Sequence, residues 1–220
     1  MTRVPDSSAH GAADGAASAG APVEPGSQAT GGAELSAVSV ISLAAAVEGA
    51  PPRLGPVRLV CVDGPAGSGK TTLAARVGEA LDAPVLHLDD LYEGWSGLDG
   101  VFERLEAQVL TPLSEGRDAR YQRYDWHEGR FADWVDLPVP SALVVEGCGS
   151  ADTAVEGRTS LIVWVEAPEA ARLERGLARD GEALRPQWLR WMALEAGHFA
   201  RNRTRERADV VVDGCTPLAP

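Results

Sequence analysis

The sequence predicts a doubly wound α/β domain with a parallel sheet. Three observations carry that expectation. Short apolar runs alternate with stretches of helical periodicity. Several of those runs close on a carboxylate. A glycine-rich loop joins the first run to the first helix. Uninterrupted apolar runs are strands buried on both faces, and strands separated by helices pair in parallel through crossovers. In such sheets ligands sit at the carboxyl ends of the strands.

Taken in order, residues 1–34 are mostly Ala, Gly, Ser and Pro with almost no large apolar side chain. They cannot bury enough surface to offset their ordering entropy, so a disordered tail is expected. Residues 35–55 are expected to hold a short helix and a linker. Val38, Ile41, Leu43, Ala45 and Val47 precede the stop signals Gly49 and Pro51-Pro52. The rest, 56–220, reads as one domain. Its first strand is 58–62, closing on Asp63, and the helix after the glycine loop runs to about Leu81. A second strand at 84–88 leads into Asp89-Asp90. Residues 99–110 are helical through Val101, Leu105 and Val109. Strands follow at 142–145, closing on Glu146-Gly147, and at 161–165. Pro168 opens a helix over 169–179, a long helical stretch covers 186–205, and a last strand covers 208–212.

The glycine loop is the most specific signal. Gly64-Pro65-Ala66-Gly67-Ser68-Gly69-Lys70-Thr71 fits G-x-x-x-x-G-K-S/T at every fixed position, with a strand before it and a helix after it. Glycines let backbone N–H groups approach a phosphate, and the helix N-terminus aims its dipole at the same anion. Lys70 is the only lysine in the chain. A compact ammonium fits between phosphates where a planar guanidinium does not. The fold class is therefore a P-loop NTPase three-layer α/β/α domain. Gly64, Pro65, Ala66, Gly67, Ser68, Gly69, Lys70, Thr71 and Thr72 are the expected ATP contacts, and Thr71 offers a hydroxyl to Mg²⁺.

The whole-chain numbers narrow the partners. A net charge of −12 over 220 residues argues against a nucleic-acid surface, which is usually basic, and leaves a local nucleotide site open. Cys61, Cys148 and Cys215 are odd in number and lack metal-ligand spacing, which points to a reducing cytoplasm. No apolar run is long enough for a membrane span, and no secretory h-region is present near Met1. A homo-oligomer is compatible with all of this.

Four further stretches supply candidate chemistry. His87-Leu88-Asp89-Asp90-Leu91-Tyr92 puts a carboxylate at a strand end, where Asp89 or Asp90 would take a hydroxyl proton from an acceptor. The competing role is a turn cap. Glu146 closes a buried strand and would hold Mg²⁺ with Thr71, the competing role being an N-cap or hydrogen-bond acceptor for the following loop. Arg172, Arg175 and Arg179 share a helix face, and Arg175 or Arg179 would neutralise a transferring phosphoryl group as part of an arginine-bearing lid. Nearby Glu169, Glu174 and Asp180 offer the alternative of solvated ion pairs. Residues 121–131 carry Tyr124, Asp125, Trp126, His127 and Arg130, a set suited to a flat hydroxylated small molecule. An exposed loop with aromatic anchors is the plainer reading. The other histidines, His10, His87 and His198, show no evident chemistry.

In this order the stretches resemble the uridine kinase family of P-loop nucleoside kinases, of phosphoribulokinase/uridine kinase type, over most of 57–214. The resemblance rests on the P-loop, Asp89-Asp90-Leu91-Tyr92, Tyr124-Asp125-Trp126, Glu146-Gly147, the arginine pattern from Arg172 to Asp180, and Ala208-Asp209-Val210-Val211-Val212. It implies that Asp89 is the catalytic base and that Tyr92 and Tyr124 contact the nucleoside. It also implies that Glu146 attends Mg²⁺ and that Arg175 and Arg179 lie near the phosphates. The chain departs from the pattern at Gly129, which stands where the family has a base-reading histidine, with His127 two residues early. It departs again at Gly176, which replaces one lid arginine. The expected function is ATP- and Mg²⁺-dependent phosphoryl transfer to a small-molecule hydroxyl, foremost a nucleoside. The alternatives are another alcohol as acceptor, or a nucleotide-binding regulatory ATPase.

Overall fold

A computed structural model describes residues 38–216, so the tail expected at 1–34 lies outside the described residues. The sheet has five strands: β1 (Arg58–Asp63), β2 (Val85–His87), β5 (Ala142–Glu146), β6 (Thr159–Glu166) and β7 (Val210–Asp213). They run in the order β2-β5-β1-β6-β7, every neighbouring pair parallel. The P-loop strand is therefore central. Its side chains divide by the two-residue period of a strand. Leu59 and Cys61 enter one buried layer with Leu143, Val145 and Ile162, and Val60 and Val62 enter the other with Val144, Leu161 and Val163. A sheet covered on both faces explains why these strands read as unbroken apolar runs.

Helix α1 (Val40–Gly49) and helix α2 (Lys70–Leu81) cover the second face together. Ser39 and Ser42 form a reciprocal capping box at the start of α1. Its buried residues are Val40, Leu43, Ala44 and Val47. Ile41 and Ala45, expected on that face, point outward instead, Ile41 with 68% of its surface exposed. Beyond β2 the chain turns through Leu88–Asp90 and Gly94–Gly100 in 3-10 geometry, then α3 (Val101–Leu105), a π-turn and α4 (Thr111–Ser114). The helix expected over 99–110 is thus a composite.

The clearest departure is at residues 119–137. Where the sequence suggested a pocket loop, β3 (Ala119–Asp125) and β4 (Arg130–Leu137) form an antiparallel hairpin outside the main sheet. Exposed cross-strand ion pairs, Arg120–Asp136 at 3.0 Å and Arg123–Asp133 at 3.2 Å, link its two strands. The tip closes with Gly129 at φ +65°, a left-handed conformation that a histidine would adopt only with strain. Downstream lie α5 (Glu169–Asp180), α6 (Arg185–Asn202) and the short α7 (Thr204–Arg207). The single long helix expected there is broken at Arg203, whose φ is +48°. No helix among the described residues is long and apolar enough to cross a membrane.

Candidate active site

At the carboxyl end of β1 the buried Asp63 braces two loops. Its carboxylate accepts N–H bonds from Gly64 at 2.7 Å, Gly149 at 3.0 Å and Ala151 at 2.9 Å. Burial pushes its pKa up to about 6 against the pull of those donors. Asp63 therefore fixes the P-loop and the segment after β5 relative to each other.

The loop itself is tightly packed. Gly67 has φ +78°, and a Cβ there would stand 2.5 Å from the Arg172 carbonyl oxygen, so α5 lies directly on the loop. Ser68 keeps a buried hydroxyl with no protein partner. Gly69, the N-cap of α2, offers no side chain to the first-turn N–H groups. Those donors stay available to an anion. Together the orphaned hydroxyl, the uncapped helix start and the bare backbone fit a bound phosphate.

Lys70 folds back over this space, its Nζ donating to the Pro65 carbonyl at 3.0 Å and lying 3.8 Å from Cys148 Sγ. Burial works against its charge, but the surrounding Cys148, Glu146, Glu195 and Asp63 raise its pKa above the usual lysine value. Thr71 Oγ1 donates to Glu146 Oε1 at 3.2 Å. His87 Nδ1 sits 2.6 Å from the same oxygen, and that bond raises the imidazole pKa. Thr71 and Glu146 are hard oxygen donors. No cluster of three or more metal-ligating side chains exists among the described residues. That donor set fits Mg²⁺, which is commonly held by one or two carboxylates together with substrate phosphates.

A cavity of about 540 Å³ opens from the phosphate loop. Its wall joins Lys70, Thr71 and Glu146 to Asp89, Tyr92 and Arg179 and to Trp95, Trp126, Trp188 and Trp191. Asp89 is open to the cavity yet ringed by protein. That desolvation raises its carboxyl pKa, Glu146 adds to it, and Lys70, Arg179 and His87 oppose it. Asp90 does not line the cavity, so the neighbouring carboxylates occupy different positions.

The three arginines on the α5 face have three surroundings. Arg172 is buried and donates to Glu195 Oε1 at 2.8 Å and to the Ala66 carbonyl at 3.2 Å. Arg175 reaches the Gly67 carbonyl at 3.2 Å and lies outside the cavity wall. Arg179 lines the cavity, forks onto Asp180 at 2.7 and 3.0 Å, and lies 5.8 Å from the Trp188 ring centre.

The hairpin residues separate in the same way. Tyr124 packs edge-on against Trp126 and Phe131. The Asp125 carboxylate accepts the N–H groups of His127 and Glu128 and so caps the turn. His127 is exposed. Of this stretch it is Trp126 that enters the cavity wall, its Nε1 donating to the Asp89 carbonyl at 2.8 Å. Tyr92 lines the cavity with its ring, while its hydroxyl donates to the Cys148 carbonyl at 2.8 Å.

Sequence reasoning missed Glu195. It is buried on α6, accepts the Ala66 N–H at 2.8 Å through Oε2 and pairs with Arg172 through Oε1. It also missed Trp95, Trp188 and Trp191 as cavity wall and His87 as the partner of Glu146. Trp188, Trp191 and Glu195 do share one helix face by three- and four-residue spacing, but nothing local distinguishes them from core.

No protein-family model matches this chain. Curated proteins named uridine kinase from Borrelia duttonii (strain Ly) and Borrelia recurrentis (strain A1) are each 27% identical over 180 residues, covering 71% of this chain and 86% of the relative. The resemblance read from the motifs therefore has named uridine kinases behind it. Among solved structures, a protein from Bacillus stearothermophilus described as a possible uridine kinase superposes with TM-score 0.60. It is 20% identical and covers 79% of this chain and 97% of its own. A protein from Silicibacter sp. TM1040, described as a candidate fructose transport system kinase, gives TM-score 0.60 at 20% identity, covering 79% and 98%. These structures carry the fold: a kinase-like P-loop α/β/α domain.

Proposed function

We propose that the chain is an ATP- and Mg²⁺-dependent phosphotransferase of uridine kinase type, moving the γ-phosphoryl group to a hydroxyl of a small molecule. The observation that carries the reading is a single cavity shared by a P-loop, with Lys70 and Thr71, and a strand-end carboxylate, Asp89. A pure nucleotide switch has no need of that carboxylate facing the phosphates. The name of the curated relatives makes a pyrimidine nucleoside the first acceptor to test. Three free cysteines, two of them buried, agree with a reducing cytoplasm.

In this mechanism the loop amides and Lys70 hold the β- and γ-phosphates. Thr71 and Glu146 would hold Mg²⁺, which supplies charge neutralisation at the phosphates. Asp89 accepts the acceptor's hydroxyl proton as oxygen closes on phosphorus, and its raised pKa makes it the better base. Arg179, on the cavity wall, would neutralise charge that develops on the transferring group. Acceptor-dependent ADP release, with Lys70→Ala as the blank, tests the reading. Asp89→Asn should lower kcat by roughly 10²–10⁴ while ATP affinity holds. ATP turnover that ignores every acceptor would instead point to a regulatory ATPase.

A further inference from the structure

On the acceptor side of the cavity three polar tips are already engaged within the protein. Trp126 Nε1 donates to the Asp89 carbonyl, Trp188 Nε1 to Asp180 Oδ2 at 3.0 Å, and the Tyr92 hydroxyl to the Cys148 carbonyl. Asp180 is also held by Arg179. Tyr92, Trp188 and Trp191 are buried, Trp188 with 2% of its surface exposed, so the ring surface left for a ligand is that of Trp126 and the half-buried Trp95. Four of the chain's six tryptophans line this one cavity. Trp95 stands among the other three, 5.9 Å from Trp126 and 6.2 Å from both Trp188 and Trp191.

The lid helix is shaped around this wall. Gly176 lies under Trp188, and a Cβ there would stand 2.2 Å from the indole Cζ2. Gly176 occupies one of the arginine positions of the lid pattern, so an indole stands where a further charge would. A ribose diol and a base edge need donors and acceptors, and a site that buries them unpaired loses affinity. Indole faces favour a flat, weakly polar ring.

We propose that the acceptor is a primary alcohol carried on a flat aromatic or heteroaromatic ring with few other polar groups. The ring lies against Trp126 and Trp95, and the hydroxyl is presented to Asp89. This rests on the phosphotransfer reading above and narrows its acceptor. The hydroxyl oxygen bonds to the γ-phosphorus, the bond from that phosphorus to the β-bridging oxygen breaks, the proton passes to Asp89, and ADP leaves.

The test uses the full chain. Tryptophan fluorescence is titrated with benzyl alcohol, a hydroxymethylpyridine, uridine, cytidine and a hexose. Acceptor-dependent ADP release and product mass are then measured with Mg²⁺-ATP. The ring alcohols should quench fluorescence and give kcat/KM at least about tenfold above uridine, a margin within what one aromatic contact supplies. Trp126 is 44% exposed at the hairpin tip, so its loss leaves the core alone. Trp126→Ala should raise acceptor KM by about tenfold or more, well beyond its effect on kcat. Trp126→Phe, which keeps a ring and loses the N–H, should restore most of it. Preference for uridine, cytidine or the hexose overturns the ring-alcohol acceptor and leaves phosphotransfer standing. Failure of every alcohol while ATP still binds overturns both.

Discussion

The residues that line the cavity fall into a phosphate set and an acceptor set, here its two ends, built on opposite plans. The phosphate end comes almost entirely from one contiguous stretch, Asp63 to Thr71, with Glu146 added from the neighbouring strand. Its working parts are backbone: left-handed glycines, an uncapped helix start, a close approach at Gly67. The acceptor end is assembled from the turn after β2, the Gly94–Gly100 turn, the β3–β4 hairpin tip and helices α5 and α6. Its working parts are side chains from distant segments. The difference teaches that the chemistry is fixed locally while selectivity is a tertiary property. A substitution at the second end can therefore redirect the acceptor without disturbing the first.

The largest test of that division is at Glu195, because α6 serves both ends. It places Trp188 and Trp191 in the acceptor wall and Glu195 on the P-loop amide of Ala66. Glu195→Ala leaves Arg172 buried without its carboxylate. Removing one partner of a buried pair costs about 3–5 kcal/mol, which denaturant unfolding would read. ATP and acceptor affinities should fall together. Glu195→Gln, keeping the shape, should lose less. Unchanged stability in the alanine variant would mean that Glu195 is no brace.

A smaller change sharpens the comparison from the other side. In Gly176→Ala the new methyl meets the Trp188 ring, and overpacking of that kind costs about 1–3 kcal/mol. The indole has to shift, so acceptor KM should rise. ATP affinity should stay level, because Gly176 touches Trp188 rather than the phosphate loop. Equal loss of both affinities would show that the two ends are not separable.

The same division explains what was legible in the sequence. The P-loop and its flanks are local, so motif and periodicity found them together. The central strands read correctly because burial on both faces leaves unbroken apolar runs. The hairpin was not legible. Its strands are linked by exposed ion pairs, and residues chosen as ligand contacts, Asp125 among them, serve its turn. Arg172 and Glu195 lie 23 residues apart in sequence and meet only in the fold. Trp188 and Trp191 escaped notice because tryptophans on a helix face look like core until the cavity beside them is known.

The smallest effect concerns pH and again separates the ends. The Asp89 carboxyl is desolvated by the protein around it, and Glu146 raises its pKa further. Lys70, Arg179 and His87 pull it back, and the net direction is upward from 3.8. A base works only when deprotonated. Turnover with acceptor should therefore climb with pH through an acid limb lying above the ordinary aspartate range, then level off once Asp89 is ionised. ATP binding rests on Lys70 and the loop amides and should not follow that limb. Measuring kcat and ATP affinity over the same pH series separates the two. A limb at the ordinary carboxylate position, or one that persists in Asp89→Asn, would take the proton-accepting role away from Asp89. A limb shared by ATP affinity would place the titrating group at the phosphate end instead.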